Sequence, residues 1–294
     1  MEIIRDVNCD VVREIIEAQG HGPEHNFHHY MNVGAMYESC VFPVFEGKYG
    51  LLGFVDGKNY WCYTDPLAPE EKRLEIFCKF VEWAFSDGAE KIRAEISEEL
   101  WKQAKTALNG YRFVKPSYIW SCPVFDLKKW DPDLSGSAWK KLRNLRNAFV
   151  RNHKIDVVGK EQVSKDEIIG LINRWKKMRT ANDRPFISHY LSAIENNFAG
   201  YDSIRFIIID GAVRAINGGW RIPNSNGFYP QLGIHDYAVK GMGEFSYIED
   251  FNFMKKEGYD FADLSGGNEG FLPFKKKFHP ARIYDEIEFS ILRK

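Results

Sequence analysis

The sequence predicts an α/β (α+β) protein built from two similar halves, each a mixed, mostly antiparallel sheet flanked by helices. Three observations carry that expectation: an Asp-Gly hairpin signal in each half, a helix followed by a strand after each hairpin, and a turn-rich joint between them. The chain has 294 residues, 44% hydrophobic and 28% charged, which is enough apolar side chain for two cores of ordinary size.

In the first half, GKYGLLGFVDGKNYWCYTDPLAP sets two apolar runs around Asp56-Gly57, a dipeptide suited to the positive φ angles of a tight hairpin. After Pro69, EEKRLEIFCKFVEWAF opens with two glutamates and spaces Leu74, Phe77, Val81 and Phe85 at helical intervals. KIRAEI then reads as a strand, SEELWKQAKTAL as a short helix and GYRFVKPSYIWSCPVFDL as extended chain. The second half repeats the order. SIRFIIIDGAVRAINGGWRI is a strand pair around Asp210-Gly211, GFYPQLGIHDY is a further strand, and Phe245, Ile248, Phe251 and Met254 mark a helix ending at Gly258 before a last strand. Pro132, Ser135, Gly136 and Ser137 in WDPDLSGS place the joint, giving expected domains of residues 1–133 and 134–294.

Forty basic and forty-one acidic residues give a net charge of -1, which excludes a globally basic nucleic-acid coat but not a local patch. The five cysteines are scattered without CxxC spacing, against both a disulfide framework and a zinc ribbon. The start, MEIIRDVNCD, is no signal peptide, and no apolar run is long enough to cross a membrane, so a soluble, cytoplasmic protein is expected.

Three segments could carry chemistry. Between Asp133 and Asp156 there is no acid, yet Lys140, Lys141, Arg143, Arg146, Arg151 and Lys154 all occur. On a helix, Lys140, Arg143, Arg151 and Lys154 share one face beside an apolar stripe of Trp139, Leu142, Leu145 and Phe149. Either this face is merely solvated or it meets phosphate or RNA. The second segment is the turn before the long helix, where Lys240, Gly241 and Gly243 could bring backbone amides to a phosphate. The third is SGGNEGFLPFKKKFHP. Read as a strand, it turns Phe274, Lys276 and Phe278 to one side and Lys275 and Lys277 to the other, where a lysine near a cleft could hold an oxyanion or a phosphate. Glu269 is the loop carboxylate nearest to it and a possible general base.

Elsewhere, His25, His28 and His29 in HGPEHNFHHY read as an exposed polar loop without the carboxylates or cysteines of a metal site; no metal is expected. Trp175, Arg179 and Tyr190 are open to two readings, helix packing or the wall of an acceptor groove. No P-loop, HExxH, GxSxG or zinc-deaminase signature is present.

The order strand pair, bent strand, Gly-x-Gly turn, helix and strand resembles the acetyltransferase fold of the GNAT superfamily. Its pyrophosphate loop, Q/R-x-x-G-x-G, is matched in both glycines of Ala238-Val239-Lys240-Gly241-Met242-Gly243 but not in the leading Gln or Arg. Two such halves, the basic segment SAWKKLRNLRNAF, GYDFADLSGGNEG and the terminal FKKKF together resemble the tandem-GNAT group. That group includes the catalytic domain of phosphatidylglycerol lysyltransferases (DUF2156) and, more distantly, the Fem-type peptidyltransferases. The resemblance implies transfer of an aminoacyl group from aminoacyl-tRNA to an amine or hydroxyl acceptor, with no permanently bound cofactor. It matches Phe274-Lys275-Lys276-Lys277-Phe278 to the Fem-type F-K-x-x-F element and gives Lys275 the oxyanion. Lys240, Gly241, Gly243 and Lys277 would hold the donor, and Lys140, Arg143, Arg146 and Arg151 the tRNA phosphates. The acceptor would be a small molecule, a peptide or a lipid headgroup. Two alternatives remain: an acyl-CoA dependent N-acyltransferase, and a non-catalytic pair of GNAT halves that binds RNA or protein.

Overall fold

The structure, a computed structural model, describes residues 1–179, 187–266 and 271–294. The first half runs β1 (Glu2–Ile4), α1 (Asp10–Gln19), α2 (Phe27–Gly34), β2 (Ser39–Phe45), β3 (Tyr49–Gly50), β4 (Gly53–Asp56), β5 (Asn59–Cys62), α3 (Glu70–Ser86), β6 (Lys91–Ser97), α4 (Glu98–Ala107), β7 (Tyr111–Phe113) and β8 (Tyr118–Asp126). The second continues with α5 (Lys140–Asn152), β9 (Ile155–Gly159), α6 (Lys165–Met178), α7 (Ser188–Glu195), β10 (Ser203–Ile209), β11 (Ala212–Arg221), β12 (Gly227–His235), α8 (Met242–Lys256), β13 (Phe261–Asp263), α9 (Leu272–Lys275) and β14 (Arg282–Arg293).

Local chemistry explains the helices that matter here. Pro69 precedes α3, Glu70 and Glu71 fill its first turn, and Ile76, Phe77, Phe80, Val81 and Ala84 form its buried stripe. Ser164 and Glu167 close a capping box at α6. Gly241 enters α8 at φ +84, a left-handed angle that glycine adopts without the Cβ penalty. The helix α8 then buries Phe245, Ile248, Phe251 and Met254, the residues whose spacing predicted it.

The strands join one continuous sheet in the order β1-β2-β4-β5-β6-β14-β8-β13-β12-β11-β10-β9. Both Asp-Gly hairpins form, as β4–β5 and β10–β11. The halves exchange strands at the centre. β14, from the end of the chain, lies between β6 and β8 and is antiparallel to both, while β8 continues into β13. Only β5 with β6 and β12 with β13 are parallel among the described pairs, and each is bridged by a helix, α3 or α8.

The second parallel pair is short. β12 and β13 match only at Gly227 with Phe261 and Phe228 with Ala262, and then part. Beside this point, the β11–β12 register shifts between Gly218 and Trp220, opposite Pro230, which has no N–H to give the ladder. The backbone there is so close that a Cβ on Gly219 would sit 1.9 Å from the Tyr229 carbonyl oxygen.

Two sequence expectations are corrected. The histidine segment is not an exposed loop: His25 and His29 are 1% and 5% exposed, because Asn26 caps α2 and turns the segment inward. His25 Nδ1 accepts from the amides of His21 and Gly22, and His29 Nε2 meets the Tyr63 hydroxyl at 2.9 Å. The closing segment is not a strand. Leu272–Lys275 is helical and 276–278 a tighter turn, so Phe274 and Phe278 share a side at i, i+4 spacing, with their rings 5.6 Å apart. Lys275 turns inward while Lys276 and Lys277 stay exposed.

Because β14 supplies both neighbours of the sheet centre with their hydrogen bonds, deleting residues 282–294 is expected to abolish soluble folded protein, read by soluble expression and circular dichroism. A truncated chain with native melting would show that the two halves hold without it.

Candidate active site

Where β12 and β13 part, the wedge is a cavity of about 650 Å³. Both halves line it: His29, Trp61, Tyr63 and Arg93 from the first, and Trp175, Tyr190, Tyr247 and Lys275 from the second. The departing stretch of β12, from Tyr229 to Ile234, forms one wall.

Lys275 is 7% exposed. Asp263 Oδ1 accepts the Ser265 amide at 2.9 Å, and Ser265 takes a left-handed φ of +46. In that tight turn the carbonyls of Leu264 and Ser265 accept from Lys275 Nζ at 3.1 and 3.2 Å. Among the described residues no carboxylate lies within ion-pair distance, 4.0 Å, of Nζ. An ammonium has three N–H donors, so one is left for a group in the cavity. Burial brings the Lys275 pKa down to about 8, only partly opposed by Cys122 and Asp263.

A group of carboxylates stands near it. Ser265 Oγ donates to Glu24 Oε1 at 3.4 Å, and Glu24 also borders a second cavity of about 260 Å³ with Asp65, Asp263 and Glu286. Burial pushes Glu24 up to about 7. Burial, and repulsion from Glu24 and the neighbouring acids, lift Glu95 and Glu286 well above the carboxylate range. On the other side, Glu288 is paired to Arg93 at 2.8 Å and accepts from Ser117 Oγ at 2.7 Å, with the Arg93 guanidinium 4.4 Å over the Trp61 ring. Trp61 Nε1, Trp120 Nε1 and His189 Nδ1 border the cavity and have no hydrogen-bond partner among the described residues. Such orphaned groups mark a wall built to meet a polar ligand.

The other residues singled out from sequence are spread more widely. Lys240 is exposed, Gly241 caps α8 and Gly243 is buried, where an added Cβ would meet His235 Nε2 at 2.9 Å. Lys277 pairs with Glu244 in the first turn of α8 at 2.7 Å. None of these four lines the large cavity. On α5, Leu142 and Phe149 are buried as expected, but Leu145 is exposed, because the helix rests on one side only. Arg143 donates to the carbonyls of Leu134 and Gly136, and Arg146 to that of Pro132 at 2.7 Å, so both tie the helix to the preceding turn. Lys140 and Arg151 are exposed, and Lys154 lies beyond the helix end. Glu269 lies outside the described residues. Trp175, Arg179 and Tyr190 all line the cavity, the Arg179 guanidinium being 5.1 Å over Trp175 and 4.5 Å over Phe271. The sequence reading missed Glu24, Arg93 and Glu288. Each is one charge in a polar or alternating stretch, with no local sign that the fold brings it to the cavity wall.

The family model described as phosphatidylglycerol lysyltransferase, C-terminal, matches residues 38–284. The chain belongs to that family. It is accordingly a transferase of the acyltransferase type with a GNAT-like fold. Its fold is similar to that of L-PGS from Bacillus licheniformis, with 16% identity, a TM-score of 0.71, and coverage of 100% of this chain and 94% of that one. FemX gives 11% identity and a TM-score of 0.64 over 99% and 97% of the two chains. A tandem GNAT protein from the clavulanic acid biosynthesis pathway gives 11% and 0.59, again over 99% and 97%. Among curated proteins, none matches this sequence. No described helix of this family member is long and apolar enough to cross a membrane, and the described residues contain no group of three or more potential metal ligands.

The buried carboxylates fix a sign for stability against pH. A folded-state pKa above the unfolded value means that the fold binds the proton more tightly, so stability is greatest in acid and is lost as pH climbs from about 4 through 7. Between about pH 5 and pH 7 the melting temperature is therefore expected to fall. Glu286→Gln should flatten that slope and raise melting near neutrality by about 2 °C or more; a lower melting temperature would mean that the charge is stabilising.

Proposed function

We propose that this chain transfers an aminoacyl group from aminoacyl-tRNA to an amine or hydroxyl acceptor by direct attack, with Lys275 Nζ holding the oxyanion. The observation that carries this reading is the buried ammonium at the cavity wall, held by two backbone carbonyls and unpaired with any described carboxylate. As the acceptor's lone pair forms a bond to the ester carbonyl carbon, negative charge grows on the carbonyl oxygen. A pre-oriented N–H⁺ in a low-dielectric wall stabilises that charge more than it does the neutral ester. The tetrahedral species then expels the tRNA ribose oxygen. No serine, threonine or cysteine is among the described residues of the lining, which supports direct attack over an acyl-enzyme.

The family's name and the likeness to FemX support an aminoacyl donor. In this reading Lys240, with the amides of Gly241 and Gly243, receives a donor phosphate at the N-terminus of α8, and Lys277 stands next to it. Lys140 and Arg151 meet the tRNA backbone, and Arg143 and Arg146 hold their helix in place. The acceptor is a small molecule, a peptide or a lipid headgroup.

With charged tRNA as the only acyl source, Lys275→Met is expected to lower kcat by about 10²- to 10³-fold in protein that still folds, checked by circular dichroism. Wild-type activity should decline as pH rises through about 8, where Lys275 loses its proton. Transfer from acetyl-CoA, with charged tRNA inert, would replace this reading by the acyl-CoA one, and an unimpaired Lys275→Met would remove the role of the lysine. For binding, Arg151→Ala should reduce the salt slope of tRNA affinity by about 1. Arg143→Ala should instead cost stability, about 1.5–3 kcal/mol, by stripping a charged donor from two carbonyls.

A further inference from the structure

The loop that carries Glu24 precedes residues 38–284, the part matched by the family model, and it is held with unusual thoroughness by the second half of the chain. Trp220 Nε1 donates to the Pro23 carbonyl at 2.8 Å, and Asn26 Nδ2 donates to that of Gly200 at 3.0 Å. Asn224 Nδ2 donates to the carbonyls of Glu17, Ala18 and Gly20 at 3.0, 3.2 and 2.9 Å. These bonds anchor the loop from both sides of Glu24 and fix its carboxylate in the cavity wall. There Ser265 links the two ends of a short chain: its carbonyl accepts from Lys275 Nζ and its hydroxyl donates to Glu24 Oε1. Glu24 therefore faces the space in which Lys275 would hold an oxyanion, with the hydroxyls of Tyr63 and Tyr229 alongside.

We propose that Glu24 is the general base of the transfer, taking the proton from the acceptor nitrogen or oxygen as that atom attacks the ester. This deepens the aminoacyl-transfer reading and rests on it. The acceptor atom forms its bond to the carbonyl carbon and gives its proton to a Glu24 carboxylate oxygen. As the tetrahedral species collapses, the carbon–oxygen bond to the ribose breaks and the leaving oxygen takes the proton back from Glu24, so that atoms and charge balance and the carboxylate is restored.

The base must be ionised, and its neighbours decide where that happens. Facing it are Tyr63 after β5, Glu95 on β6, Tyr229 on β12, Asp263 at the end of β13 and Glu286 on β14. Arg73 and Arg282 stand across the second cavity. Burial and the acids together hold Glu24 at about 7, so activity rises with pH through that value, and a base of this strength operates near neutrality.

The test uses the full chain, a pool of charged tRNA, and two amine acceptors. Ethanolamine is largely protonated at neutral pH and needs a base, whereas hydroxylamine is unprotonated and does not. Glu24→Gln, checked for native melting, is expected to lose about 10²- to 10⁴-fold with ethanolamine, to lose the limb that rises through about 7 while keeping only the rise from ethanolamine's own deprotonation, and to recover most of the lost rate with hydroxylamine. Glu24→Asp should keep a rising limb at reduced rate. If Glu24→Gln retains both the ethanolamine rate and the limb, or loses both acceptors equally, the base assignment is overturned while aminoacyl transfer stands. If wild type accelerates neither reaction above the uncatalysed rate, the transfer reading fails, and the base with it.

Discussion

Gly227 with Phe261 and Phe228 with Ala262 are the whole of the parallel contact between β12 and β13, and the site depends on how soon that contact ends. Past it, β12 leans on β11 alone, pulled aside by a register shift at Pro230 and a glycine that lets the backbones close to contact. Strands that part leave a wedge that must be roofed by something else. Here the roof comes from both halves, because β8 and β14 cross between them and bring Trp120 and Glu288 to the same space as the α8 side chains. A site assembled this way is wide and aromatic, and its walls are held by sheet geometry more than by loops.

The same enclosure sets the electrostatics. Desolvation disfavours every charge it covers, so it moves an ammonium down and a carboxyl up. Lys275 comes to about 8 and Glu24 to about 7, so an acid and a base that differ by many units in water are drawn close together on opposite sides of Ser265. Arg93 and Glu288 illustrate the other outcome. They satisfy one another directly, as an ion pair at 2.8 Å.

Local sequence carried much of this. Asp56-Gly57 and Asp210-Gly211 announced their hairpins because a tight turn needs positive φ, which is a property of the dipeptide itself. The helices α3 and α8 were legible because a buried stripe repeats at their own period. Lys275 was found from a motif, but on a false geometry: three lysines between two phenylalanines read equally as a strand, and only the turn after Phe271 decided for a helix and turned that lysine inward. Nothing local marks Leu145 as exposed, or Arg143 as a strut for the turn before it, since both depend on which side of α5 meets the core.

The sequence by itself determined the mixed α/β class, the helix stripes and the tight turns, because these are encoded within a few residues of one another. Tertiary structure alone decided that β14 crosses into the sheet of the first half, that β12 and β13 part after two residues, and that Glu24 comes within reach of Ser265 across more than half the chain. The reason is physical: backbone angles are governed by near neighbours, whereas burial and the pKa shifts it causes belong to whatever the folded chain brings alongside.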